Sequence, residues 1–249
     1  MLNPKLKKNK LKYEGKEFKN NEGFLFKVLE YINSDHVKIQ FKDTGYKTKT
    51  TIASVREGKI KDPLSKSVCD IGYIGIGKYN VRDHRDIYFL WSGTIRRIYI
   101  DKYPGHPTSM CDEWLNFQNF AKWYEENIYD YNEEKLIFSL ALARGKIASP
   151  DNVAFVPLSF LGLFSLSNKK ESNLPRGVFY NKRKRKYFSS ITFNKKQMHL
   201  GYYDDIEITH SVYQNKRKEL YEELVESYKG KIPDKVYNLL SSIDINEYE

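Results

Sequence analysis

The chain has 249 residues and a formal net charge of +10, and 40% of its residues are hydrophobic and 15% aromatic. This length and apolar content exclude a fully disordered chain and favour about two domains. The longest apolar stretches, 136–143 and 153–166, are shorter than the roughly 20 residues that a membrane span requires. No transmembrane segment is therefore expected. The lysine-rich start has no apolar run behind it and does not have the form of a secretory signal.

Positive charge is concentrated in two parts of the chain. Residues 1–72 hold 16 Lys and Arg against 9 Asp and Glu, residues 73–173 hold 12 against 12, and residues 174–229 hold 12 against 7. Basic segments on either side of a neutral one favour a polyanionic partner, above all nucleic acid, because cations placed on phosphates release condensed counterions. The alternative interpretation is a lysine-rich protein that is merely well solvated.

The N-terminal part is predicted to be a small β module over residues 13–72, behind a basic tail at 1–12. Its β-prone runs are separated by turn residues and are Phe24–Leu29, Val37–Phe41 and Thr48–Ala53. The second run alternates apolar and polar residues, which predicts one buried face and one wet face.

Residues 73–173 are predicted to form a mixed central domain. The stretch GYIGIGKY at 72–79 lacks the last glycine of a dinucleotide-binding loop, and no helix is predicted after it. Within Cys111–Tyr131, aromatic residues recur at spacings that share one helix face, which predicts a helix whose aromatic stripe belongs to the core.

The C-terminal third predicts three antiparallel strands followed by a long helix, in a module at 174–230 with an acidic tail at 231–249. The strands are Arg176–Asn181, Lys186–Phe193 and Met198–Tyr203, and the helix runs from Asp205 to Tyr228 with acidic start signals. The fold class expected for the whole chain is therefore α+β.

Three motifs of this C-terminal module carry a resemblance: Arg176-Gly177-Val178, the aromatic and small residues of Tyr187–Ile191, and Leu200-Gly201-Tyr202-Tyr203-Asp204. With the helix that follows, they resemble the ethylene-response-factor-type DNA-binding domain, over about 55 residues. The resemblance implies that the sheet enters the major groove of DNA while the helix supports it from behind. Read independently, period-two alternation directs Val178, Tyr187, Ser189 and Ile191 toward the helix. It leaves the opposite face to Phe179, Asn181, Lys186, Phe188, Ser190 and Thr192.

The predicted DNA-binding residues fall into two groups. Phosphate contacts are expected from Arg176 and from the cationic turn, which we define as Lys182, Arg183, Lys184, Arg185 and Lys186. The ethylene-response-factor-type domains of plant transcription factors carry several arginines on the face that reads DNA. At the matching positions this chain has Phe179, Ser190, Thr192 and His199. The side chains expected to reach base edges are Asn181, Ser190, Thr192, Gln197 and His199. None of them is an arginine that could bind guanine through two hydrogen bonds, so modest discrimination per base is predicted.

The part of the chain before this module resembles the phage HNH-type homing endonucleases that carry the same C-terminal module. This resemblance includes the N-terminal β module ending in Phe41–Tyr46 and covers most of the chain. The matching motifs are Cys111–Leu115 with Phe117, Phe120 and Trp123, then Ser149-Pro150-Asp151-Asn152, then Phe155-Val156-Pro157. These nucleases need a histidine that activates water and a ligand set that holds a divalent metal. Where the group has an acid-lysine-acid cluster, this chain has the ligand-free segment 136–141 (LIFSLA). The resemblance therefore implies a degenerate nuclease, with no catalytic or metal-binding residue and no cofactor.

A substitute catalytic set could only come from Asp83, His84, Asp86 and His106. None of these shows ligand spacing on a predictable helix or strand, so each is expected to be an isolated polar residue. The function expected is that of a phage or mobile-element protein that binds double-stranded DNA in the cytoplasm of a bacterial host. One alternative is an active endonuclease, which would use Mg²⁺. A further alternative is a phage factor that binds and inhibits a host protein or RNA–protein complex.

Overall fold

The computed structural model describes residues 4–103, 105–164 and 174–248 of the chain. The helices are α1 (Pro4–Tyr13), α2 (Ile52–Glu57), α3 (Arg85–Ile95), α4 (Phe117–Asn127), α5 (Leu161–Phe164), α6 (Ile206–Ser227) and α7 (Asp234–Ser241). The strands are β1 (Glu17–Lys19), β2 (Leu25–Tyr31), β3 (Val37–Phe41), β4 (Lys47–Thr50), β5 (Ser109–Met110), β6 (Leu136–Ser139), β7 (Ile147–Ala148), β8 (Ala154–Pro157), β9 (Val178–Asn181), β10 (Lys186–Phe193) and β11 (Lys196–Tyr203). A π-helical segment follows α3 (Arg96–Asp101), and short 3-10 turns occur at Asp112–Leu115, Leu140–Ala143, Leu158–Phe160 and Ile245–Tyr248. The predicted α+β class is confirmed.

Two compact units divide the chain. The first contains Met1–Asp101 and Met110–Tyr124, and the second contains Lys102–Ser109 and Glu125–Glu249. This division differs from the predicted boundaries at 72–73 and 173–174, the second of which falls at the edge of the undescribed residues 165–173. The reason is long-range packing, since residues after Glu125 share their core with the C-terminal sheet.

The first unit contains an antiparallel sheet in the order β1-β2-β3-β4. Alternating side chains of β2 and β3 fill its core, as the sequence pattern predicts. The third predicted run is only partly a strand, because Thr51 ends it by capping α2: its Oγ1 accepts a hydrogen bond from the Ser54 N–H.

Helix α1 lies where a basic tail was predicted, apart from residues 1–3, which are outside the described residues. Tyr13 at its end is buried, stacks on Tyr31 with ring centroids 5.9 Å apart, and accepts a hydrogen bond from Arg56 Nε at 3.0 Å. Leu6 packs against the same core, and Asn9 Nδ2 donates a hydrogen bond to Tyr31 Oη at 3.0 Å, so several side chains of this lysine-rich segment hold it on the β module.

The aromatic stripe of the first unit is core, as predicted. Trp114, Phe117 and Phe120 are all buried, and Trp91 Nε1 donates a hydrogen bond to the Trp114 carbonyl at 2.6 Å. The single helix predicted over Cys111–Tyr131 is instead a 3-10 turn followed by α4. Helix α3 corrects the expectation that no helix follows the glycine-rich stretch.

The second unit contains the sheet β9-β10-β11, on which α6 packs. Asp205 caps α6, because its side chain accepts a hydrogen bond from the Ile208 N–H. The antiparallel pair β6–β8 shares a core with this sheet and with α7. Val236, Leu240 and Ile245 are buried in that core, so most of the segment predicted as an acidic tail is a packed part of the unit.

No helix in the described part of the chain combines the length and hydropathy that crossing a bilayer requires.

Candidate nucleic-acid interface

The C-terminal sheet has one face against α6 and one face toward solvent. Val178, Ser189 and Ile191 are buried on the helix side, as the alternation predicts. The outer face presents Phe179, which is 47% exposed, together with half-buried Phe188. Because the inner residues pack against the helix, a ligand would contact the exposed side chains of the outer face.

A β-bulge sets which residues of β11 share the outer face. Ser189 pairs with Gly201 but Ser190 pairs with His199, so Leu200 is an extra residue on β11. His199 and Tyr202 therefore both lie opposite outward-facing residues of β10, although they are three positions apart. Leu200 packs against the core cluster instead.

Asn181 shapes the cationic turn between β9 and β10. It pairs with Lys186, and its Oδ1 accepts hydrogen bonds from the N–H groups of Arg183 at 3.1 Å and Lys184 at 3.0 Å. Arg185 then has φ of 53°, a left-handed conformation that closes the loop. Asn181 was predicted to reach base edges, and the structure also gives its side-chain oxygen this turn-stabilising role.

The five cations of the turn differ in their contacts. Lys184 Nζ lies 3.6 Å from the centroid of the Tyr202 ring, and Lys186 Nζ lies 3.0 Å from Asp204 Oδ2. The side chains of Lys182, Arg183 and Arg185 are exposed and have neither an ion pair nor a hydrogen bond with the described residues. These three cations are therefore available to an anionic ligand.

Beside the turn, aromatic rings form a row across all three strands. Phe188 lies opposite both Phe179 and Tyr202 in the sheet register. The ring centroids of Phe179 and Phe188 are 5.3 Å apart with planes tilted by 25°, and those of Phe188 and Tyr202 are 5.6 Å apart. His199 joins the row, with its ring centroid 4.6 Å from that of Tyr202. We call Phe179, Phe188, Tyr202 and His199 the aromatic row.

Farther from the turn, the outer face is polar. Thr192 pairs with Gln197, and both side chains are exposed. Ser190 is buried, and Gln197 Nε2 lies 3.4 Å from its Oγ. Arg176, predicted to contact phosphate, is half-buried in a cleft shared with Ser190 and Thr192. Along β10 the outer face thus changes from cationic to aromatic to polar.

Segment 136–141, where the resemblance to HNH-type endonucleases leads one to expect metal ligands, lies in strand β6 and the 3-10 turn that follows, where Ser139, Leu140 and Leu142 are buried. Asn152 of the SPDN motif stabilises its own turn: its Oδ1 accepts from the Ser149 N–H at 2.9 Å and its Nδ2 donates to the Ile147 carbonyl at 2.8 Å. In the described ranges no group of three or more His, Cys, Asp and Glu could hold a metal ion.

Among the polar residues considered as a substitute catalytic set, local contacts are made by Asp83, His84 and His106. His84 precedes α3, with its Nδ1 3.1 Å from the Asn80 carbonyl, and Asp83 accepts a hydrogen bond from Asn80 Nδ2 at 2.7 Å. The His106 ring lies 5.6 Å from the ring of Tyr103 in the second unit. Each of these contacts is local to its own segment of the chain.

Comparison of the chain with protein-family models, curated proteins and solved structures gave no significant match. The proposed function therefore rests on the geometry of the C-terminal sheet and the cationic turn.

Two residues of the site were missing from the predicted DNA-binding set: Phe188 and Tyr202. Phe188 could have been chosen from the strand alternation, which already placed it on the outer face. Tyr202 depends on the bulge at Leu200, which shifts the alternation of β11 and which no local pattern indicates.

Proposed function

We propose that this chain is a double-stranded DNA-binding protein of phage or mobile-element type, related to HNH homing endonucleases but without nuclease activity. It acts in the cytoplasm of a bacterial host. The observation that carries the proposal is the cationic turn at one end of an outward-facing sheet. Three of its side chains, those of Lys182, Arg183 and Arg185, have no competing acid among the described residues.

Phosphate contacts from such a turn position a protein on DNA without reading its sequence. The outer face next to the turn has few exposed hydrogen-bonding side chains that could contact base edges. Thr192, Gln197 and His199 supply them, and none matches the paired donors with which arginine reads guanine. In this proposal, phosphate contacts therefore supply most of the affinity, and discrimination between base sequences is modest.

The lack of nuclease activity is supported by the same part of the chain that suggests the resemblance. Where metal ligands are needed, segment 136–141 forms a strand and a buried apolar turn, and Asn152 is used in its own loop. Incubating supercoiled plasmid with the protein and Mg²⁺ or Mn²⁺ tests this part. Unchanged plasmid is expected, and nicking that persists through purification would favour the endonuclease alternative.

Salt dependence tests DNA binding itself. The affinity of the full chain for a fluorescent duplex is measured by anisotropy at increasing NaCl concentration. Three phosphate contacts predict a slope of log K against log salt of about −2.7, and five predict about −4.5. A slope near zero, or no duplex binding at low salt, would contradict the proposal and favour the host-protein alternative.

A further inference from the structure

We infer that the aromatic row on the outer face of the C-terminal sheet stacks unpaired bases, so that the site binds single-stranded as well as double-stranded DNA. The inference rests on the proposed function and names a second form of its ligand.

The exposure of the row is the first reason. Apolar side chains on a sheet normally pack inward, and here Val178 and Ile191 on the opposite face already do so. Phe179 nevertheless leaves 47% of its surface exposed, and Phe188 beside it is only half-buried. The cross-strand ring contacts add stability to the sheet, and the exposed surface of Phe179 is also accessible to a planar ligand.

The register of the row is the second reason. The directly opposed positions Phe179, Phe188 and Tyr202 bring one ring from each strand into line, and His199 adds a fourth. Aromatic rings on a sheet are platforms on which successive bases stack, and stacking tolerates any sequence because every base has a π-face. The bases of an intact duplex have their faces covered by their neighbours, so only unpaired bases can use such a platform.

Charge is the third reason. Lys186 and Phe188 are two residues apart on β10, which places the cationic end about 7 Å from the row. This spacing is comparable to the separation of the phosphate and the base within one nucleotide. Lys184, whose ammonium group lies over the Tyr202 ring, marks the junction of the two surfaces. A single-stranded DNA whose phosphates contact the cationic turn therefore has its bases beside the aromatic row.

The test compares leucine variants on three fluorescent probes: oligothymidylate, the same oligonucleotide without bases, and a duplex. Phe179→Leu with Phe188→Leu keeps the apolar volume and removes the ring faces. The matched control is Tyr180→Leu, because Tyr180 is on the same strand, is also 47% exposed, and pairs with Tyr187 on the other face. The single variant Phe179→Leu repeats the test at the more exposed of the two rings, where replacement by leucine removes the least packing.

The double variant is expected to bind oligothymidylate at least fivefold more weakly than the native chain, within the range of about 5- to 150-fold for each stacked base. Its affinity for the base-free probe should remain within about twofold of native, as should all affinities of Tyr180→Leu, and its affinity for the duplex should fall by less than its affinity for oligothymidylate. These results together would support stacking, because the loss would require both the rings and the bases.

The inference fails if the double variant binds oligothymidylate as the native chain does, or if its affinity falls equally on the base-free probe. It also fails if the double variant and Phe179→Leu both lose binding to all three probes. Native duplex binding without oligothymidylate binding would overturn this inference and leave the proposed function standing. Native binding to neither probe would overturn both.

Discussion

Replacing Gly177 by alanine tests how α6 packs on the sheet that carries the proposed interface. Gly177 has φ of 72°, and a methyl group added to it would lie 2.1 Å from Cδ2 and 2.3 Å from Cε2 of Tyr213. Tyr213 is buried in the core of the second unit, so moving its ring away from the added methyl group would disrupt that packing. The substitution therefore forces either the strand or the helix to shift.

The expected cost has two parts. A left-handed backbone at a residue with a side chain costs roughly 1 to 2 kcal/mol, and overpacking a core adds about 1 to 3 kcal/mol. Gly177→Ala should thus lower the free energy of unfolding by about 2 to 5 kcal/mol. Gly230→Ala is the matched control, because Gly230 has φ of 68° and nothing within 4 Å of an added methyl group. It should cost only about 1 to 2 kcal/mol.

Urea denaturation followed by far-UV circular dichroism measures both variants. In a Tyr213→Ala background, Gly177→Ala should cost no more than Gly230→Ala, because the clashing ring is gone. Equal costs for Gly177→Ala and Gly230→Ala in the native background would refute the described contact between the start of β9 and α6.

Two further predictions concern the cationic turn. Asn181→Ala removes the acceptor of two backbone N–H groups, so it should lower the free energy of unfolding by about 1 kcal/mol and weaken binding to all duplexes. Urea denaturation and anisotropy measure the two effects, and native stability together with native duplex affinity would contradict the turn-stabilising role of Asn181. Arg185→Gly removes the cost of a left-handed backbone at a residue with a side chain, so it should raise the free energy of unfolding by up to about 1 kcal/mol. It also removes one cation, so duplex affinity should fall up to about eightfold at about 0.1 M salt. Thermal unfolding and anisotropy measure the two effects, and a loss of stability would show that the conformation of Arg185 is not strained.

Local patterns predicted the C-terminal sheet closely, because its hairpins are specified by nearby residues. The run Lys186–Phe193 is strand β10 without a change of bounds, and Asp205 begins α6 as the start signal indicates. Helix α3 escapes prediction although Ile87, Trp91 and Ile95 recur at helical spacing, because His84 at its N-cap makes no side-chain capping hydrogen bond and gives no start signal. Helix α7 lies in the segment predicted as an acidic tail, because burial of Val236 and Leu240 in the core outweighs the acidic composition of that segment.

The remaining differences depend on contacts between distant parts of the chain. That residues 125–164 share a core with β10 and α6 follows from side chains such as Val156 and Tyr221, which belong to one apolar cluster although 65 positions apart in sequence. The bulge at Leu200 depends on its apolar side chain packing inward while His199 stays outside. Neither feature has a signature in a short window of sequence.

The central claim, that the cationic turn binds DNA phosphates, is tested most directly by neutralising two of its unpaired cations. Arg183→Gln with Arg185→Gln is compared with Lys231→Gln and Lys235→Gln, which removes the same charge from exposed positions near α7. The turn variant should reduce the steepness of log K against log salt by about 1.8 and weaken binding to every duplex equally, while the control variant stays near native. Equal effects of the two variants, or a turn variant that selects different sequences at unchanged non-specific affinity, would contradict the account.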